Sequence, residues 1–284
     1  MFTVVISGNV NPGDIIANYA LITNPDGPGA LPVAPNVIVS PSQVPASGNK
    51  FLYLDTMNTT PILTRIPPTV NTNNEIAGLG ASDDIDISPA TQDTLTIGAG
   101  NIPVSLWIGR NNRKGDRTVT ATLLYSGGSN GTIGSDTQTF NLTTDGTAGA
   151  QLVNFTIPLA SDLTLDPGTT LTLQINNDTN KANRSIYVYS TLNGSDSAAN
   201  ISINPVINVD SLEWYDAAYP AGTPVSQVLP GTSLYLRAVI SDPFGSFDIA
   251  SAHIDITDPD IITVVSGVPM TQVNDSGTAT NDYA

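Results

Sequence analysis

Polar and apolar residues alternate with a period of two along most of this chain. In residues 118–125 the threonines 118, 120 and 122 fall on one side, and Val119, Ala121, Leu123 and Tyr125 on the other. That is the pattern of a β-strand with one wet and one buried face. Comparable runs recur at 2–7, 51–54, 94–97, 104–108, 137–142, 152–157, 170–175, 185–190, 233–240 and 251–256, separated by Gly, Pro, Asn and Asp. Short strands at this spacing with turn residues between them predict β-sandwiches, and no eleven-residue window carries a helical period. The pattern thus predicts an all-β chain of tandem β-sandwiches.

One segment occurs twice. Residues 11–27 (NPGDIIANYALITNPDG) align without a gap on 229–245 (LPGTSLYLRAVISDPFG), with six identities: Pro12/Pro230, Gly13/Gly231, Ala20/Ala238, Ile22/Ile240, Pro25/Pro243 and Gly27/Gly245. Each copy reads as turn, strand, turn, so the chain looks modular. The polar, proline-containing stretch 66–74 reads as a linker, and a second junction falls near 204–210. The expected division is 1–70, a partial immunoglobulin-like module; 71–205, a jelly-roll-like sandwich; and 206–284, an immunoglobulin-like sandwich. Only 39 residues follow Gly245, whereas such a sandwich needs about 100. The last module is therefore expected to lack strands, with residues after about Val273 disordered or an open edge recruiting a second copy. Trp107 and Trp214 are expected to be buried anchors of different modules.

Pro12-Gly13-Asp14 with Tyr19 to Gly27, and Ser241 to Ile249 with Ile256 to Pro259, resemble the immunoglobulin-like repeats of large bacterial and archaeal cell-surface, adhesin-like proteins. The resemblance implies a non-catalytic module for adhesion or display at the cell surface or outside the cell. Its partners would be neighbouring modules of the same protein or a surface polysaccharide. A carbohydrate-binding module of a secreted polysaccharide-degrading enzyme, and a phage or filament structural subunit, are the alternatives.

Charge narrows the partners. Twenty-five acids against nine bases leave a net charge of −16 in 284 residues. All but two acids are aspartates, which favour turns and strand ends over helices. Nucleic acid and anionic membrane surfaces need clustered bases, so neither is an expected partner, and no apolar run is long enough for a membrane span. With no cysteine and one histidine, His253, the parts for thiolate or zinc chemistry and for Cys/His catalysis are missing. No enzyme activity is expected.

Three clusters remain as candidate sites. Asp83, Asp84 and Asp86 gather hard oxygen ligands at a strand entry and suit calcium as a cofactor. Tyr187 and Tyr189, two apart in a strand, share a face and could stack a sugar ring. Arg110, Arg113, Lys114 and Arg117 put four of the nine bases in a predicted hairpin loop that could dock an acidic module or an anionic polysaccharide.

Overall fold

The computed structural model describes residues 18–19, 36–37, 48–57, 60–111, 113–203, 207–228, 233–257 and 263–284. Strands dominate, and two short 3-10 turns, Gly146–Gly149 and Ser246–Asp248, are the helical elements among the described residues. The all-β expectation holds. Among the described residues no helix is long and apolar enough to cross a membrane. Of the repeated segment, only 18–19 of the first copy lie within the described residues, whereas most of the second copy, 233–245, does.

The chain divides into two compact units, residues 47–206 and residues 1–46 with 207–284. The boundary after Val70 is therefore corrected. Strands Gly48–Met57 and Thr60–Thr64 pair with each other, and Gly48–Met57 pairs with Ala198–Ile203, about 150 residues further on. The stretch 66–74 is a loop inside this unit that runs into strand Asn73–Ile76.

The 47–206 unit is a β-sandwich. One sheet has four antiparallel strands in the order Gly131–Leu142, Gly115–Ser126, Thr170–Asn177, Ala81–Asp86. Its inward residues are the ones alternation predicts: Val119, Ala121, Leu123, Leu173, Ile175 and Ile85 are almost fully buried. The second sheet is built on Gly100–Arg110. Strand Gln151–Leu159 pairs along one edge of it, and the other edge forks. Val104 and Ser105 pair with Ala199 and Ala198, whereas Trp107 to Arg110 pair with Ile186–Tyr189. This sheet contributes Leu52, Val104, Leu106, Ile108, Phe155, Ile186 and Ile201 to the interior. Each such side chain contributes about 1.5–3 kcal/mol relative to exposure.

At one open side of the sandwich the two sheets are stapled by a carboxylate. Asp136, on Gly131–Leu142, accepts the Thr156 N–H of strand Gln151–Leu159 at 2.8 Å, the Thr137 N–H at 2.8 Å and the Gln138 amide at 2.9 Å. These donors, the Thr156 N–H foremost, hold its carboxyl below the usual aspartate range. Gly134 sits where the strands close up, since a Cβ there would stand 2.4 Å from the Pro158 carbonyl oxygen.

In the other unit, Asn208–Tyr215, Tyr235–Ser241, Thr280–Tyr283 and Gln272–Asp275 form a four-stranded antiparallel sheet in that order. Ala238, Ile240, Ile249, Ala252 and Tyr283 make its core. The expectation of disorder beyond Val273 is corrected: both last strands are paired, and Tyr283 is only 3% exposed. Trp107 and Trp214 lie in different units, each half-buried rather than fully enclosed.

Candidate functional site

The outer face of the larger sheet carries a groove of about 300 Å³ lined by Phe51, Tyr53, Pro103, Ser105, Asp196, Ala198 and Asn200. Its floor follows from strand geometry. Gly48–Met57, Ala198–Ile203 and Gly100–Arg110 run side by side, and on each the residues between the buried ones point outward. Tyr53 therefore stands opposite Ala198, which stands opposite Ser105, and Phe51 stands opposite Asn200.

Phe51 and Tyr53 stack with ring centroids 6.0 Å apart and planes inclined by 22°, and Phe51 keeps 44% of its surface exposed. Polar groups surround the rings. Ser105 Oγ donates to Asn154 Oδ1 at 2.8 Å, and Asn200 Oδ1 is buried without a hydrogen-bond partner. Asp196 forms one lip. It sits on a two-residue hairpin, Thr191–Leu192 to Ser195–Asp196, whose turn residues Asn193 and Gly194 have φ of 52° and 80°. Asn-Gly is the preferred sequence for that left-handed turn.

The hairpin is tied to the sheet at the fork. Ser197 Oγ accepts the Trp107 N–H at 2.8 Å and donates to the Tyr189 carbonyl at 2.5 Å, and the Trp107 indole donates to the Ser195 carbonyl at 3.0 Å. Sequence reasoning missed the groove. The signal was present as the spacing Phe51-x-Tyr53, the same i, i+2 pattern that singled out Tyr187 and Tyr189.

That tyrosine pair is not the platform. Ile186 and Val188 face the core as expected, but Tyr189 is only 4% exposed and burial raises its pKa. Its ring lies against Gly109, where a Cβ would stand 2.8 Å from it. Tyr187 is half-exposed and its hydroxyl donates to Glu75 at 3.2 Å. The two rings are tilted by 45°, 6.5 Å apart. With one ring enclosed, the pair offers no continuous stacking surface.

The calcium cluster is likewise separated. Residues 83, 84 and 86 all lie within strand Ala81–Asp86, so Asp84 and Asp86 share the outer face while Asp83 points the other way. Each is already engaged: Asp84 accepts Gln174 Nε2 at 2.7 Å, Asp86 accepts Thr172 Oγ1 at 2.6 Å, and Asp83 accepts the Asn74 amide. Burial raises the Asp83 pKa, the Asn74 bond opposing it. Among the described residues no three metal-ligating side chains converge.

The basic loop is half structural. Arg110 is 2% exposed, pairs with Asp145 and donates to the Thr143 and Asn111 carbonyls, each at 2.7 Å. Arg117 is fully buried and donates to the carbonyls of Arg113 at 2.7 Å, Gly115 at 3.0 Å, Asp116 at 3.3 Å and Ser185 at 3.4 Å. Burial, with Arg184 and Arg110 nearby, lowers its pKa to about 10, so it stays charged at neutral pH. Arg113 and Lys114 alone of the four remain exposed. His253 is exposed on strand His253–Thr257 of the other unit.

No family model matches the chain. Among solved structures it is similar to a CocE/NonD family hydrolase from Staphylococcus aureus, at 13% identity and a TM-score of 0.42 over 56% of this chain and 37% of that one. It is also similar to an aminopeptidase from a marine sediment archaeon, Thaumarchaeota archaeon, at 11% identity and a TM-score of 0.45, over 55% of this chain and 37% of that one. A third is an alpha-amino acid ester hydrolase, at 14% identity and a TM-score of 0.40, over 55% and 36%. The chain thus spans little more than a third of each of these proteins' length. These neighbours are hydrolases and a peptidase. That finding stands against the expectation of a non-catalytic adhesion or display module without enzyme activity, which is withdrawn.

Proposed function

We propose that the 47–206 sandwich binds a saccharide ring in the Phe51–Tyr53 groove, and so holds a polyhydroxylated substrate in the service of a hydrolytic activity. The observation that carries this reading is the near-parallel pair of rings on an open sheet face, with Ser105, Asp196 and Asn200 around it. A pyranose has one apolar face of C–H groups and a rim of hydroxyls. Flat aromatic area suits the first, and short polar side chains at the groove wall suit the second. The ladder strands fix the geometry, so little ordering is needed on binding. A polymeric saccharide as ligand would place the protein's work outside the cytoplasm.

Affinity electrophoresis of the full chain through gels containing xylan, galactomannan or hydroxyethyl cellulose tests the reading. Retardation by at least one polymer, lost in the Phe51→Ala/Tyr53→Ala double variant, is the expected result. A chain that no neutral polymer retards, or a double variant retarded as strongly as the parent, would overturn it.

A further inference from the structure

The fold assembles a second surface that sequence spacing could not show. Residues 179–184 form a tight turn, with Lys181 N–H on the Thr179 carbonyl at 2.7 Å and Arg184 N–H on the Lys181 carbonyl at 3.1 Å. This turn lies against the 110–117 loop. Arg184 Nη1 donates to the Asp116 carbonyl at 3.2 Å, Arg117 Nε reaches the Ser185 carbonyl at 3.4 Å, and Thr118 N–H bonds Thr179 Oγ1 at 3.1 Å. Six of the nine bases in the chain, Arg110, Arg113, Lys114, Arg117, Lys181 and Arg184, thereby gather at one end of the 47–206 unit.

Their charge is only partly answered. Asp145 pairs with Arg110, and the Asp116 carboxylate accepts the Asn141 amide at 2.5 Å. Glu75 and Asp178, the other nearby acids, accept hydroxyls of Tyr187 and Thr120. Arg117 bonds carbonyls and has no carboxylate partner among the described residues, so its full charge stands behind the exposed Arg113, Lys114 and Lys181. In a chain of net charge −16 this is a local reversal of sign, held in place by backbone hydrogen bonds on both loops.

We propose that this end of the sandwich docks an acidic polysaccharide, with uronate carboxylates set against Arg113, Lys114 and Lys181. The saccharide class rests on the groove reading above. The chain's net negative charge opposes every polyanion alike, and what favours a polyuronate is the aromatic groove on the same unit, which suits its sugar rings. The surface is a rim of exposed charges, so it governs encounter and salt dependence more than fit.

The probe is polygalacturonate, titrated into the full chain by calorimetry at ~20 mM and ~200 mM salt, across which the Debye length shrinks about threefold. We expect binding that weakens about tenfold between the two, and that is lost by about tenfold at low salt in the Arg113→Gln/Lys114→Gln/Lys181→Gln variant. All three side chains are exposed, and an unchanged thermal midpoint will show that the variant folds. The Phe51→Ala/Tyr53→Ala variant, which tests the groove, should keep the salt-dependent component, so the two readings can fail separately. Equal affinity of triple variant and parent would overturn the proposal, as would tighter binding of duplex DNA or poly-glutamate than of polygalacturonate.

Discussion

The two outer faces of the 47–206 sandwich rest on one core and differ in what their polar groups do. On the four-stranded sheet, side chains answer one another across the strands. Gln174 bonds Asp84, Thr172 bonds Asp86, Thr120 meets Thr137 at 2.8 Å, and Thr118 meets Thr139 at 3.0 Å. On the larger sheet, Phe51 stands exposed beside the half-buried Tyr53, and the Asn200 side-chain oxygen, Oδ1, is buried without a partner. A polar group that is already paired gains little from a ligand, because a new bond only replaces an old one. Chemistry alone therefore does not make a surface a binding site. The Thr and Asp face has the richer set of hydrogen-bonding groups, yet it is the poorer candidate.

The comparison can be broken in order of expected effect. Both faces stand on the same interior, so Phe155→Ala should cost about 3–5 kcal/mol and remove both together, as chemical denaturation will show. If the opposite face retained its cross-strand order, for instance in hydrogen exchange at Thr120 and Gln174, the shared core would be disproved. Next, the faces should separate under surface substitution. Tyr53→Ala should weaken saccharide binding about tenfold, near 1.4 kcal/mol, with little change in stability. Asp84→Ala/Gln174→Ala should leave binding untouched and cost only about 0.2–1 kcal/mol of stability. Equal binding losses from the two variants would erase the distinction between the faces.

Two carboxylates sharpen the picture by moving in opposite directions with pH. Asp136 has a depressed pKa in the folded state, so its contribution is complete above the unfolded value of about 3.9 and is lost as pH falls through the folded one. Asp136→Asn should lower the unfolding midpoint at neutral pH and flatten its fall in acid. Asp83 has a raised pKa, so its ionisation works against the fold as pH rises from below the unfolded value through the folded one. Asp83→Asn should raise the neutral-pH midpoint slightly and leave the acid limb steeper than in Asp136→Asn. An unchanged or raised neutral-pH midpoint in Asp136→Asn would mean that the Asp136 staple does not hold the sheets, and a lowered one in Asp83→Asn that the Asp83 charge does not oppose the fold.

Alternation made the strands legible because burial on one face is a local, period-two signal. Thr118 to Leu123 behaves as read, and so do Ile186 and Val188. What was not legible depends on distant partners. Tyr189 is enclosed by Gly109, far away in sequence, and Arg117 is buried because carbonyls from Arg113 to Asp116 and at Ser185 converge on its guanidinium. The strand at Gly48–Met57 was assigned to the wrong module because its partner lies at Ala198–Ile203. Asp83 misled for a local reason: once the strand starts at Ala81, a residue one place from Asp84 must face the other way.

The hairpin at the fork of the larger sheet also behaves as a cassette. Ser197 N–H closes it on the Ser190 carbonyl at 2.7 Å, and the Ser197 hydroxyl takes the Trp107 N–H and donates to the carbonyl of its strand partner Tyr189, bridging the two where the fork opens. The ladder is therefore complete without residues 191–196. Their length and sequence can vary while the sheet beneath keeps its register, and Asp196, which they carry, forms a lip of the groove. If the groove binds a saccharide as proposed, its selectivity can thus diverge by exchange of a six-residue insert, without a change to any residue of the core.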